Sequence, residues 1–253
     1  MKKHFFFLFS LFLLNTINFS QESKNMNNPF FQTWDTPLQT PPFSLIKTEH
    51  YLPAFEEGIK QQKAEADAIA ANPETPTFEN TIAAFEKSGS ILTKVSYVFF
   101  SLNSTITDDE MQKINQTVSP MLAKLNDDIK LNGKLFERIN ILYKEKAKQN
   151  YTPEQKMLLD NYYSDFIRGG VNLNNEAKEK FRKINKELSL LTVKFGENIL
   201  KETNSVGLII DNKEDLAGLP EDLVANAAIT AKQNKLDGKW VFTLKNPSIM
   251  PFL

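Results

Sequence analysis

The sequence of 253 residues contains no cysteine and only two histidines, His4 and His50. The missing cysteines exclude disulfide bonds, thiolate nucleophiles and cysteine-based metal sites. The zinc-binding helix motif H-E-x-x-H needs two histidines four positions apart, and His50 is followed by Tyr51-Leu52-Pro53 instead. We therefore assign no catalytic, cofactor-binding or metal-binding residues to this chain, and predict that His50 is an ordinary histidine at the surface or at the start of a helix.

Charge of one sign and long apolar runs are also lacking. The 30 basic and 31 acidic residues give a net charge of -1, so the chain has no field that would gather a polyanion, and nucleic acid is not an expected partner. The run FFFLFSLFLL follows basic MKKH and precedes polar NTINFS, which is typical of a secretory signal peptide. Its length of about ten residues is too short to cross a bilayer. We expect cleavage after Ser20, export to the periplasm or medium, and no membrane attachment afterwards; an uncleaved anchor is the alternative.

Three pairs of neighbouring carboxylates could form an acid–base dyad: Glu56–Glu57, Asp108–Asp109 and Asp127–Asp128. We predict instead that the first and third pairs lie on solvated helix faces. The second pair is expected to complement a helix N-terminus, as part of a capping box that starts at Thr107.

Helical signals dominate after an irregular, proline-rich arm at 21–48. The aromatic residues of that arm, including Phe30, Trp34 and Phe43, predict that it lies on the protein surface. Caps, first-turn prolines and apolar spacing predict helices at 51–71 and after Thr107, Asn132 and Thr152. A last long helix at about 175–203 repeats apolar residues in threes and fours, the pattern of a helix packed along its length: Phe181, Ile184, Leu188, Leu191, Phe195 and Ile199.

The predicted secondary structure changes from helices to strands towards the C-terminus. VGLIID (206–211) and KWVFTLK (239–245) are predicted strands with a helix at about 220–234 between them. The final NPSIMPFL is apolar and uncapped, and we interpret it as a truncated end. The fold class is therefore mainly α, a multi-helix lobe with a small β element near the C-terminus.

The stretch PTFENTIAAFEKSGSIL (76–92) predicts one helix whose apolar stripe has a gap of seven between Phe85 and Leu92. Ser88-Gly89 lies inside that gap. We expect the missing side chain of Gly89 to let a neighbouring backbone approach closely, with a functional hinge as the alternative.

Several segments, in this order, resemble the N-terminal region of the thimet oligopeptidase and oligopeptidase A family of zinc metallopeptidases, bacterial peptidyl-dipeptidase in particular. They are YLPAFEEGI, IAANPETPTFENTIAAFEKSGSILTKV, LLDNYYSDFIRGGVNL, LSLLTVKFGENILKETNSVGLII, LAGLPEDL and LKNPSIMPFL. The resemblance extends from about Pro42 to the last residue.

The resemblance implies an almost entirely helical fold of two lobes around a channel, with zinc bound in the C-terminal lobe. Residues 49–253 would then be the helical N-terminal lobe, truncated before the catalytic domain and an incomplete version of the family fold. The family implies cleavage of short peptides, with release of C-terminal dipeptides in the peptidyl-dipeptidase branch. This chain lacks the zinc motif, so we expect it to bind no zinc, to be inactive alone, and to have short peptides and the missing C-terminal lobe as partners.

A free-standing, non-catalytic helical protein that binds peptides is the alternative. The aromatic residues of the arm and the unclosed C-terminus would serve such a protein as contact surface.

Overall fold

The computed structural model describes residues 27–252, and the signal peptide predicted at 1–20 lies outside them. The arm contains two short 3₁₀ turns, Pro29–Phe31 and Pro37–Gln39, and a third, Thr48–His50, directly precedes the first α-helix. Phe30 is buried against Tyr51, with ring centroids 5.6 Å apart, and Trp34 Nε1 donates a hydrogen bond to the Pro29 carbonyl. The prediction that the arm lies on the protein is thus confirmed at these two aromatics. Phe43, in contrast, is 56% exposed.

The chain divides into two compact units, one up to Leu190 and one from Leu191 onward. The α-helices that begin in the first unit are α1 (Tyr51–Ala71), α2 (Ala84–Glu86), α3 (Ser90–Thr105), α4 (Asp109–Lys130), α5 (Gly133–Glu145), α6 (Pro153–Arg168) and α7 (Asn175–Ser205). A π-helical segment, Phe78–Ala83, leads directly into α2.

The core of the first unit surrounds α1, which packs against α3, α4 and α5, while α6 packs against α5. Apolar residues spaced by threes and fours point inward on each helix, and burying each such side chain stabilises the fold by about 1.5–3 kcal/mol. The largest fully buried side chains of this core are Phe30, Phe55, Phe99, Phe166, Ile82, Leu135, Ile139 and Leu159. The helices predicted after Thr107 and Asn132 are confirmed as α4 and α5.

The prediction of one continuous helix through Gly89 is wrong, because α2 ends at Glu86 and α3 begins at Ser90. Gly89 has φ +74°, a left-handed conformation that a residue with Cβ adopts only under strain. Its N–H donates a 2.7 Å hydrogen bond to Glu65 Oε2. The expected close approach exists, but the neighbour is the Gln62 side chain: a Cβ on Gly89 would lie 2.6 Å from Gln62 Cδ.

Helix caps show one correction and one confirmation. Asp108, not Thr107, caps α4, because its Oδ1 accepts a 2.8 Å bond from the Met111 N–H. The charged side chain takes the cap and also complements the helix dipole. The predicted start of α6 is confirmed, with Thr152 and Gln155 exchanging hydrogen bonds across the first turn.

The prediction that α7 packs along its length is wrong for the described residues. None of its residues is buried, and Ile184, Leu188, Leu191, Phe195 and Ile199 are each at least half exposed. The apolar spacing makes the helix amphipathic, but spacing cannot tell which molecule or segment covers the apolar side.

The second unit contains the end of α7 and the predicted small β element. Strands β1 (Gly207–Ile210) and β2 (Trp240–Thr243) pair antiparallel, with Leu208 opposite Phe242. Helix α8 (Glu221–Gln233) covers β2, and the small core comprises Leu216, Leu223, Ala227 and Phe242. The C-terminal segment contains a one-turn helix, α9 (Asn246–Ile249). The mainly α fold class is confirmed.

Within residues 27–252, no helix combines the length and the apolar character needed to cross a bilayer.

Candidate functional site

A cavity of about 710 Å³ lies between α4 and the first half of α7, inside the first unit. Most of its lining residues are charged, because α4 and α7 face each other here largely with acidic and basic side chains. The lining residues are Pro120, Met121, Lys124, Asp127, Asp128, Glu179, Arg182, Lys183 and Lys186.

The carboxylates of this cavity are held by three side chains. Asp127 is only 2% exposed and accepts a 2.7 Å hydrogen bond from Asn185 Nδ2. Asp128 accepts bonds from Arg182 Nη1 at 2.7 Å and from Lys124 Nζ at 2.6 Å. The prediction that this pair lies on a solvated face is therefore wrong. The sequence of α4 alone carries no sign of this burial, because Arg182 and Asn185 lie more than fifty residues away.

The two neighbouring carboxyl groups have pKa values that move in opposite directions. Burial raises the pKa of Asp127, and the hydrogen bond from Asn185 and the charge of Arg182 only partly oppose it. Burial would also raise the pKa of Asp128, but the hydrogen bonds and charges of Lys124 and Arg182 outweigh it and lower that pKa. Such a divergence is found in catalytic carboxylate pairs, but here both charged partners of Asp128 explain it as an ion-pair network.

The basic residues of the cavity differ in whether they are paired. Arg182 and Lys124 are occupied by Asp128, whereas Lys183 and Lys186 have no ion-pair partner among the described residues. Within residues 27–252, no three His, Cys, Asp or Glu side chains lie together so that they could hold a metal ion. These residues therefore provide no ligand set for the zinc that the family resemblance implies, and we derive no catalytic step from them.

A second concave surface lies on α3, beside α1. This groove of about 410 Å³ is lined by Gln62, Leu92, Thr93, Ser96, Tyr97, Phe100 and Ser101. Tyr97 is 74% exposed and Phe100 is 36% exposed. Exposed aromatic rings next to hydroxyl groups provide both apolar contact and hydrogen-bonding capacity, which suits a peptide side chain.

His50 and the Glu56–Glu57 pair, which were considered from the sequence, both lie on or at the start of α1. His50 lies at the start of α1, as predicted, where its Nδ1 accepts a 3.0 Å hydrogen bond from the Lys47 N–H. Glu56 is exposed and Glu57 is paired with Lys60 and Gln61 along α1, which confirms the solvated face at this pair.

Arg138 on α5 was not singled out from the sequence. It is 6% exposed, and its guanidinium donates to the carbonyls of Asn72 and Glu74 at 2.7 and 2.9 Å and to Asn80 Oδ1 at 2.9 Å. These three bonds hold the segment between α1 and the π-helical segment on the core. An arginine on an otherwise apolar helix face is the sequence signal that could have identified it.

No family model matches the chain, but individual proteins do. It is 38% identical over 226 residues to the dipeptidyl carboxypeptidase of Escherichia coli K12, which covers 89% of this chain and 33% of that protein. It is 34% identical over 226 residues to the Salmonella typhimurium dipeptidyl carboxypeptidase, with the same coverage. The oligopeptidase A of Haemophilus influenzae is 29% identical over 229 residues, 90% of this chain and 33% of the relative.

The chain thus spans about a third of the length of the curated relatives it matches. The resemblance predicted from the sequence motifs is confirmed: over most of its length, this chain is similar to peptidases of the dipeptidyl carboxypeptidase and oligopeptidase A family.

Proposed function

We propose that these residues are the N-terminal part of an exported zinc peptidase that hydrolyses short peptides and releases C-terminal dipeptides. The observation that carries the proposal is the 38% identity to a dipeptidyl carboxypeptidase over 89% of the chain, against 29% for an oligopeptidase A over a similar length. The activity named for that relative belongs to a protein about three times as long. The proposed role of this chain is therefore to form a helical wall of the peptide channel, without contributing the catalytic zinc site.

The α4–α7 cavity supports a role in peptide contact. Lys183 and Lys186, which have no ion-pair partner among the described residues, would attract the C-terminal carboxylate of a short peptide. The zinc, its ligands and the water that attacks the peptide bond would all be supplied by the part of the protein that this chain does not match.

The first experiment measures the size of the native protein in its own cells, using an antibody against residues 27–252 and intact mass. A species about three times longer supports the proposal, and a mass that lacks residues 1–20 supports export. A species near 28.9 kDa less the signal peptide would contradict it. The second experiment incubates the purified chain with a short unblocked peptide. Release of dipeptides that a chelator abolishes would contradict the proposed inactivity of the isolated chain.

The α3 groove favours a second function, that of a non-catalytic peptide-binding protein, because its two exposed aromatic rings need no zinc to bind an apolar side chain. Phe30 of the arm does not support this alternative, because its ring is buried in the core and is not available as a contact surface. Calorimetric titration of the chain with short peptides distinguishes the two functions. Binding that Tyr97→Ala abolishes in a protein of native size near 28.9 kDa would favour the binding protein.

A further inference from the structure

The α4–α7 cavity is formed entirely by residues of the first unit, and its charges follow one face of α7. Glu179, Lys183 and Lys186 all line it. At about 100° per residue, these three positions fall within roughly 60° of one another around the helix, so their charged groups border the same space. The face therefore presents one carboxylate followed, along the helix, by two ammonium groups.

These three charged groups are available to a ligand. Glu179 Oε1 lies 3.8 Å from Arg182 Nε, a looser contact than a hydrogen bond, and the Glu179 side chain is 73% exposed. Lys183 and Lys186 have no ion-pair partner among the residues that the structure describes. Arg182, in contrast, is held by Asp128 at 2.7 Å. A ligand with one ammonium and one carboxylate group would find an opposite charge for each of them on this face.

Hydrogen bonds between the two helices define the direction in which they run. Lys178 bonds to the Leu131 carbonyl at one end, and Asn185 bonds to Asp127 further along. Residue numbers therefore fall along α4 as they rise along α7, and the helices are antiparallel. The part of α4 that precedes Asp127 consequently extends towards the end of the cavity at which the lysines lie.

Pro120 and Met121 are the two uncharged residues that line the cavity, and both are half-buried. Their position in α4 places them towards Lys186 and away from Glu179. A peptide with its carboxylate at the lysines would thus have its C-terminal side chain beside apolar surface. The flexible Met121 can adapt to side chains of different shape.

The spacing of the charges sets the length of the ligand. Lys183 and Lys186 follow Glu179 by four and seven positions, which is about 6 Å and about 10.5 Å along a helix axis. An extended peptide spans about 3.3–3.6 Å per residue, so two residues reach about 7 Å and three reach about 10 Å. The cavity volume of about 710 Å³ is within the usual range of small-molecule sites.

We propose that the α4–α7 cavity binds free peptides of two or three residues at both termini, with the ammonium group at Glu179 and the carboxylate at Lys183 or Lys186. The C-terminal side chain lies against Met121. The proposal rests on the proposed function in one respect, since the cavity is a product-binding site only if these residues belong to a peptidase that releases dipeptides. No zinc takes part, so the 253-residue chain binds these peptides by itself.

The test is calorimetric titration of the 253-residue chain with Ala-Leu and with Ala-Ala-Leu, at low ionic strength, where exposed charges are screened least. We expect saturable binding of one peptide per chain. Acetylated peptides lack the ammonium group and peptide amides lack the carboxylate, so each should bind at least threefold more weakly. Ala-Ala-Ala-Ala-Leu should also bind more weakly, because its extended form is too long for both termini to be paired.

Two substitutions assign the two ends of the site. Lys186→Gln should weaken the binding of Ala-Ala-Leu at least threefold and leave that of its amide unchanged, because the amide lacks the carboxylate. Glu179→Gln should weaken the binding of Ala-Ala-Leu and leave that of its acetylated form unchanged. The matched controls are Lys180→Gln and Glu187→Gln, which are exposed on α7 outside the cavity and should change neither affinity. All four variants should keep the melting temperature of the unsubstituted chain, because all four side chains are exposed.

The contrary results can be told apart. Equal weakening by Lys186→Gln and Lys180→Gln would reduce the effect to net charge and overturn the proposal. Acetate or acetyl-Ala-Leu that binds as tightly as Ala-Leu would make the cavity a site for anions only, and a titration without saturation would remove the site; either result overturns the proposal. None of these results affects the proposed function, which the mass of the native protein tests. Peptide binding by a native protein near 28.9 kDa less the signal peptide would keep the binding site and overturn the proposed function.

Discussion

The close contact between α1 and α3 requires a residue without a Cβ atom at Gly58. A Cβ built on this buried glycine would lie 2.8 Å from Leu92 N, 2.9 Å from Leu92 Cα and 3.1 Å from Leu92 Cβ. Two of these atoms are backbone, so no rotamer change can relieve the contact. An alanine side chain at this position would require the two helices to separate, and the neighbouring contact between Phe55 and Phe99, with ring centroids 5.4 Å apart, would loosen.

The direction of the effect of Gly58→Ala follows from two opposing magnitudes. Alanine improves helix propensity over glycine by up to about 1 kcal/mol. Overpacking a well-packed core by one methyl group costs about 1–3 kcal/mol, and a contact with rigid backbone falls in the upper part of that range. We therefore expect a net loss of about 1–2 kcal/mol in the free energy of unfolding, which lowers the melting temperature by about 2–8 °C.

The two tryptophans make the measurement specific, because Trp34 lies in the first unit and Trp240 in the second. In a Trp240→Phe background, the fluorescence of Trp34 during urea titration reports the unfolding of the first unit. The matched control is Gly133→Ala, at the start of α5, where a Cβ would meet no atom within 4 Å. This control should gain about 0.4–1 kcal/mol. If Gly58→Ala shifted the midpoint upward as the control does, the close approach of α1 and α3 would be refuted.

Three further predictions concern single residues of the first unit. Gly89→Ala should cost about 1–2 kcal/mol in urea unfolding, because alanine is strained at φ +74° and its Cβ would meet Gln62; an unchanged midpoint would contradict this. Arg138→Met should cost about 2–4 kcal/mol, since it removes three hydrogen bonds donated by a buried guanidinium, and Arg138→Lys should recover part of that loss. Asp127→Asn, which keeps an acceptor oxygen for Asn185, tests the pH dependence of stability. The raised pKa of Asp127 means that the folded state binds more protons than the unfolded state above pH 3.8, so its contribution to stability falls as pH rises through that window. The stability of the variant relative to the unsubstituted chain should therefore increase as the pH rises from 3.8 through the raised pKa of Asp127, and parallel pH profiles of the two proteins would contradict the assignment.

Predictions from local signals were the ones that the structure confirmed. The bounds of α1 at 51–71 and the start of α6 at Pro153 follow from prolines, caps and apolar spacing within a few residues. The strands at 206–211 and 239–245 follow from short apolar runs, although their pairing joins segments about thirty residues apart. At Gly89 the local signal was present, because the gap of seven between apolar positions marks the break between α2 and α3.

The candidate site could not be predicted in the same way. Asp127 and Asp128 have the local pattern of an exposed helix face, and only the arrival of Asn185 and Arg182 from α7 buries them. Likewise, the space available at Gly58 depends on where Leu92 is placed, thirty-four positions later. Burial and close approach are properties of pairs of segments, so one segment cannot indicate them.

By itself, the sequence determined the mainly helical class, the positions of most helices and strands, the lack of cysteine chemistry and the resemblance to a peptidase family. These depend on backbone hydrogen bonds and side-chain periodicity within one segment, or on the order of residues along the chain. Only the tertiary structure decided which carboxylate is buried, which glycine lies against a neighbouring helix, and that α7 contacts α4 through Arg182 and Asn185. Amphipathic spacing requires that an apolar face be covered, but the covering partner is chosen by shape and charge across a distance that no local pattern encodes.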